Sequence, residues 1–202
     1  MKKLLFIAAL FCSVTLFATD VLDDPNMEIE VRETINKQCV HQVKAFTKHL
    51  GFIANKSNPD SIKEYHIEAS MDLFVGHGDD TKDDEGNVII PAPRIEVASM
   101  TTGKKNSYFI KQYLVRLKDL AYTKIVFQSS KCYLADGGIR KVAENEYVAT
   151  VTFYQVFIGY KGDYIVYRDK TEKRVTVHVK KEPTGDFTVL LGDISIQSMT
   201  KQ

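Results

Sequence analysis

The 202-residue chain has no tryptophan. That removes the side chain best suited to stacking on a sugar ring, although ten tyrosines remain to take that role. It has no excess of either charge, with 27 basic and 26 acidic residues. A near-neutral chain offers no electrostatic reason to bind nucleic acid, and no polybasic run suggests an anionic membrane surface. Beyond the N-terminus it also lacks any apolar run long enough to span a bilayer, and it has no internal repeat, low-complexity segment or linker.

One apolar run stands out at the start. Lys2 and Lys3 precede an apolar stretch over 4–17, and Ala18 closes it before Thr19 and Asp20. A short positive region, an apolar stretch and a small-residue exit make a secretory signal peptide. The stretch is about 14 residues, short of the roughly 20 that a membrane-spanning helix needs. We therefore expect a signal peptide over 1–18 and a single domain over 19–202, exported to the periplasm or cell envelope or secreted, with no membrane span after cleavage. Lipidation at Cys12 is the minority alternative, because Phe11 is too large for the small-residue position before a lipid-bearing cysteine. Cleavage removes two basic residues and no acidic ones, leaving a formal balance of −1.

It also leaves two of the three cysteines, Cys39 and Cys132. An oxidising compartment permits a disulfide between them. Buried free thiols are the other reading and stand slightly ahead. Neither cysteine sits in a nucleophile or metal-ligand motif.

What is present is a clear order of elements. Val31, Ile35, Cys39, Val43, Phe46, Leu50 and Ile53 recur at steps of three or four, one face of a helix predicted over 26–55. Asp24 and Pro25 suit its start, and Gly51 is expected to bend or interrupt its last turn. A second helix is expected from Asp60 or Ser61 to Ala69, with Ile62, Tyr65 and His66 inward, then a short strand over 72–75. The charged stretch 78–87 reads as a solvent loop or hairpin tip. It resembles a calcium loop only loosely, because aligning Gly86 puts Thr81 where the first Asp belongs. An extended segment over 88–100 carries Pro91 and Pro93. A third helix is predicted over 107–120 with Ser107 as its cap and Ile110, Tyr113, Leu114 and Leu117 on one face. A strand over 121–134 follows, then a turn at Asp136-Gly137-Gly138 and long strands over 140–160, 163–181 and 187–198. Strands of this length must twist, giving a curved sheet with a concave face.

This order, together with the segments Arg94-Ile95-Glu96-Val97-Ala98-Ser99 and Tyr113-Leu114-Val115-Arg116-Leu117, resembles secreted Bacteroidetes-type proteins with the nuclear transport factor 2-like fold. This is the cystatin-like α+β cone, a long N-terminal helix packed in a strongly curved antiparallel sheet. The resemblance implies a pocket and allows ketosteroid isomerases, polyketide cyclases, dehydratases and non-catalytic modules alike, so fold alone selects no function. It also implies that the outer sheet face, apolar around 148–160, is a plausible homodimer surface.

The pocket of such a cone needs a carboxylate or His–Asp pair to act as an enzyme. The candidates are His66 and Asp72, with Tyr65, Tyr113 and Tyr154 as pocket or hydrogen-bonding residues. His41, His49, His77 and His178 form no metal pattern, and no metal or cofactor is expected. The first expectation is an exported, non-catalytic binding or assembly module that takes a small apolar ligand or a protein partner. A small pocket enzyme working by acid–base proton transfer comes second, and a purely structural subunit third.

Overall fold

The computed structural model describes residues 29–130 and 132–201. The export signal with Cys12, the proposed start at Asp24 and Pro25, and the side chain of Val31 lie outside the described residues.

The apolar stripe builds the long helix α1, Ile29–Ala54. Ile35, Cys39, Val43, Phe46, Leu50 and Ile53 are all buried. Gly51 neither bends the chain out of the helix nor ends it, since the helix runs three residues further. After the Asn58-Pro59 break comes α2, Asp60–Met71. Its buried face is Lys63, Ile67, Ser70 and Met71, not the expected Ile62, Tyr65 and His66. Tyr65 is 65% exposed and Ile62 41%. The helix has few apolar residues, so it can bury a lysine stem, and the Ser70 hydroxyl donates to the His66 carbonyl at 2.7 Å.

The strand expected over 72–75 is a single bridge from Phe74 to Leu191 followed by a 3-10 turn, Val75–Gly78. The charged stretch is the tip of a hairpin between β1, Thr81–Lys82, and β2, Val88–Ile90. There the Asp83 carboxylate accepts hydrogen bonds from the backbone N–H groups of Glu85 and Asn87.

The main sheet has seven strands. β3, Arg94–Ala98, pairs antiparallel with β4, Lys105–Phe109. Ser107 thus lies in a strand, its hydroxyl accepting from Arg94 Nε at 2.9 Å, and the third helix, α3, begins later, at Ile110–Lys118. Its cap position, Phe109, makes no side-chain cap bond. β5, Lys124–Ser129, and β6, Tyr133–Ala143, lie along one edge of β7, Glu146–Lys161. The single strand expected over 121–134 is thus two strands, and the second continues past Leu134. Asp136-Gly137-Gly138 is a shift in register inside β6 instead of a turn. The reversal comes at Glu144-Asn145, where Asn145 takes φ 61°, a left-handed position that Asn tolerates. β8, Tyr164–Lys181, and β9, Phe187–Lys201, complete the meander. β9 then pairs in parallel with β3, giving the order β4-β3-β9-β8-β7-β5, with β6 on the same edge of β7 as β5.

The result is an α+β cone with the long helix packed on a curved sheet, the architecture that the resemblance implied. α1 lies against β5 and β9, and Val175, Val177 and Val179 share one core with its stripe. The part of β8 that carries residues 167–173 is roofed by α3.

Candidate functional site

From Tyr167 to Val179, β8 alternates strictly between inward and outward residues. Val175, Val177 and Val179 point into the core, and carrying the same period backwards puts Lys173, Thr171, Asp169 and Tyr167 on the same face. The first three of these polar residues are buried, with Asp169 6% and Lys173 5% exposed. The inner face of one strand thus changes from apolar to polar midway. Where it changes, the sheet lines a cavity of about 310 Å3 beneath α3, the lower end of the range for small-molecule sites.

Three groups of side chains make the walls. Tyr113, Arg116 and Leu117 come from α3. Tyr122, Phe127 and Phe157 form an aromatic cluster in which Phe157 meets Tyr122, Phe127 and Tyr167 edge-on, with centroids 5.6, 5.3 and 5.7 Å away. Gln155 and the β8 row supply the polar wall. A wider, open groove of about 790 Å3 lies on the far side of α3, and Tyr108 and Arg116 line both spaces. The Arg116 guanidinium sits 4.8 Å from the Tyr108 ring centroid, so this cation–π pair forms part of the wall between them.

Within the cavity a hydrogen-bond chain converges on Asp169. The Met100 N–H donates to the Tyr167 hydroxyl at 3.2 Å, and Tyr167 is in turn hydrogen-bonded to the Asp169 carboxylate. The Thr171 hydroxyl donates to Asp169 Oδ1 at 3.2 Å. Burial pushes the Asp169 carboxyl above the usual carboxylate range, against the opposing effects of Tyr167, Thr171 and Lys173. Burial likewise pushes the Tyr167 phenol up to about 12 and raises Tyr113 and Tyr122, each also disfavoured as an anion by Asp169. Lys173 is pushed down, to about 8, because desolvation outweighs the attraction of Asp169. Four residues along a strand separate their Cα atoms by about 13 Å. Lys173 and Asp169 therefore address one cavity from two stations and do not close into an ion pair.

Of the residues singled out from sequence, Tyr113 lies in this cavity. His66 sits between α1 and α2, with its Nδ1 2.8 Å from His49 Nδ1 and its ring stacked on Phe52 at 4.1 Å. Asp72 is on the surface, 3.0 Å from His77 Nδ1. Tyr65 is exposed beside His66. Tyr154 points to the opposite sheet face from Gln155, and Lys170 Nζ lies 4.4 Å from its ring centroid. Cys39 and Cys132 are both buried and free. Sequence reasoning missed Asp169, Thr171, Lys173 and Tyr167, although the period of β8 carried the signal for them, and it missed Gln155 on β7.

No protein-family model matches the chain, and no curated protein matches it. Solved structures similar to it include a candidate scytalone dehydratase from Novosphingobium aromaticivorans, at 12% identity over 86% of this chain and 92% of that one, with a TM-score of 0.46. A hexachlorocyclohexane dehydrochlorinase (LinA) type 2 is similar at 8% identity over 83% and 92%, with a TM-score of 0.38. A protein from Kribbella flavida follows at 10% identity over 81% and 95%, with a TM-score of 0.36. Likeness at this level carries nothing about chemistry.

Proposed function

We propose that the chain is a binding module for a small, mainly apolar molecule held between α3 and the sheet. The ligand's apolar body rests against Tyr122, Phe127 and Phe157, and one polar group meets the row Asp169, Thr171 and Lys173. That row carries the reading. Three buried polar side chains, one of them a lysine, share the cavity face of a single strand. Burying an ionisable group without a partner is costly, and a ligand that supplies the missing partner offsets the cost. Native mass spectrometry of the purified protein, followed by extraction of retained small molecules, tests the reading. Retention that weakens in Lys173→Met and Asp169→Asn supports it. No retained molecule, together with no thermal shift from a panel of aromatic carbonyls and phenols, overturns it.

A second reading, acid–base catalysis, is favoured by one specific observation. Burial raises Asp169 and lowers Lys173, moving both toward neutrality inside one cavity, as proton-transfer groups require. Exchange of the protons beside the carbonyl of a small cyclic ketone in heavy water tests it. Exchange above the buffer rate that disappears in Asp169→Asn supports catalysis, and exchange at the buffer rate rejects it.

The 1–18 segment supports export of this module. N-terminal sequencing of the protein recovered from a bacterial periplasm tests this. An intact chain held in the cytoplasm overturns it.

A further inference from the structure

Lys173 is the most unusual group in the cavity. It is 5% exposed, it lines the cavity, and among the described residues its ammonium forms no hydrogen bond or ion pair. Its only charged influence is the more distant Asp169. Thr171 and Asp169 on its own strand, Gln155 on β7, and Tyr113 and Arg116 on α3 face the same space. Of these, Asp169 and Arg116 carry charge, and Arg116 is exposed at the rim.

We infer that Lys173 captures a small aldehyde or ketone in this cavity as an imine. The inference rests on the binding role proposed above and names the class of ligand. The lone pair of Nζ attacks the carbonyl carbon. The C–N bond forms as the C=O π bond breaks, and the oxygen takes up a proton to give a carbinolamine. The C–O bond then breaks and oxygen leaves as water with the two hydrogens that nitrogen gave up, leaving C=N. The sum is amine plus carbonyl giving imine plus water, with no redox change and no further reactant.

Two features of the site suit this step. Burial holds Lys173 near 8, so a useful fraction is the unprotonated nucleophile near neutral pH, as with other desolvated reactive lysines. Asp169 is held by Tyr167 and Thr171 farther along the strand, which leaves the Lys173 amine unpaired and open to a carbonyl carbon. A carboxylic acid ligand would also pair with the ammonium, but it would bring a second negative charge into the cavity that already holds Asp169. The volume and aromatic wall fit a carbonyl carried on one ring or a short apolar body.

The test is reductive trapping of the intact protein with benzaldehyde and with cyclohexanone, using cyanoborohydride and peptide mapping. Thermal shift with the same compounds is measured in parallel. At about pH 7.5, Lys173 should be labelled roughly tenfold faster than exposed Lys111. Lys173→Met and Lys173→Arg, the latter keeping the charge, should lose the fast site. A thermal shift with Lys173 labelled no faster than Lys111 overturns the imine and leaves the binding role standing. No thermal shift and no selective label overturns both.

Discussion

Tyr122 occupies the space that a side chain at Gly159 would need. A Cβ at Gly159 would stand 2.5 Å from the ring's Cε1, closer than carbon atoms can approach. The ring in turn meets Phe157 edge-on and helps wall the cavity. The glycine is there for space, since its backbone is not left-handed. Gly159→Ala should therefore destabilise the fold by about 1–3 kcal/mol and weaken ligand retention. Urea unfolding checks the first effect. In a Tyr122→Ala background most of the cost should vanish, and a cost that persists in full would mean the collision is not its source.

Lys173→Met should stabilise the ligand-free protein, by about 1–3 kcal/mol at neutral pH, because it removes a buried ammonium without a partner. The pH dependence has a definite sign. Lys173 is lowered from 10.5 to about 8, so the unfolded chain binds the extra proton between those values. Stability from this group therefore rises with pH across that window. The wild-type protein should gain on Lys173→Met from about pH 8 upward. Unfolding midpoints at several pH values check this, and a gap that stays constant across the window would refute it.

The histidine pair acts with the same sign at acid pH. His49 and His66 meet nitrogen to nitrogen at 2.8 Å, an arrangement in which one must donate and the other accept. Burial lowers both, aided for His49 by His66 and for each by Lys48. With folded values below 6.5, the unfolded chain takes up protons first as pH falls, so stability declines from about pH 6.5 downward. Replacing both with Asn should flatten that decline in urea unfolding. An unchanged slope would show that the pair does not produce it.

Both thiols should be inert in the native state. Burial raises Cys39 to about 12 and also raises Cys132, which leaves almost no thiolate to react. Alkylation at about pH 8 should be slow in buffer and complete in denaturant. Without reductant, the intact mass should show no bond between Cys39 and Cys132, and a mass lower by two hydrogens would reveal one.

Strong periodicity made much of this fold legible. The α1 stripe could be read directly because seven apolar residues kept one helical face. β8 and β9 were legible because Gly162 and the Pro183-Thr184-Gly185 turn bracket them. α2 was misread by one position because its inward face includes Lys63 and Ser70, which resemble surface residues. Ser107 looked like a cap because Ser suits caps, yet it is held in β4 by pairing with Glu96 on β3. The cavity stayed hidden for the same reason as the α2 face. Asp169, Thr171 and Lys173 look like the solvent side of a strand although they keep the inward period of Val175, Val177 and Val179, and it is the roof supplied by α3 and Tyr122 that buries them.

Core and cavity share β8 but occupy separate halves of it. Val175, Val177 and Val179 hold the strand's register against β7 and β9, while residues 167–173 present chemistry to the cavity. Substitutions in the first half can therefore alter what the cavity accepts while the second half keeps the strand in place. Such a scaffold can diverge in specificity by a few changes along one strand, with its folding determinants left intact.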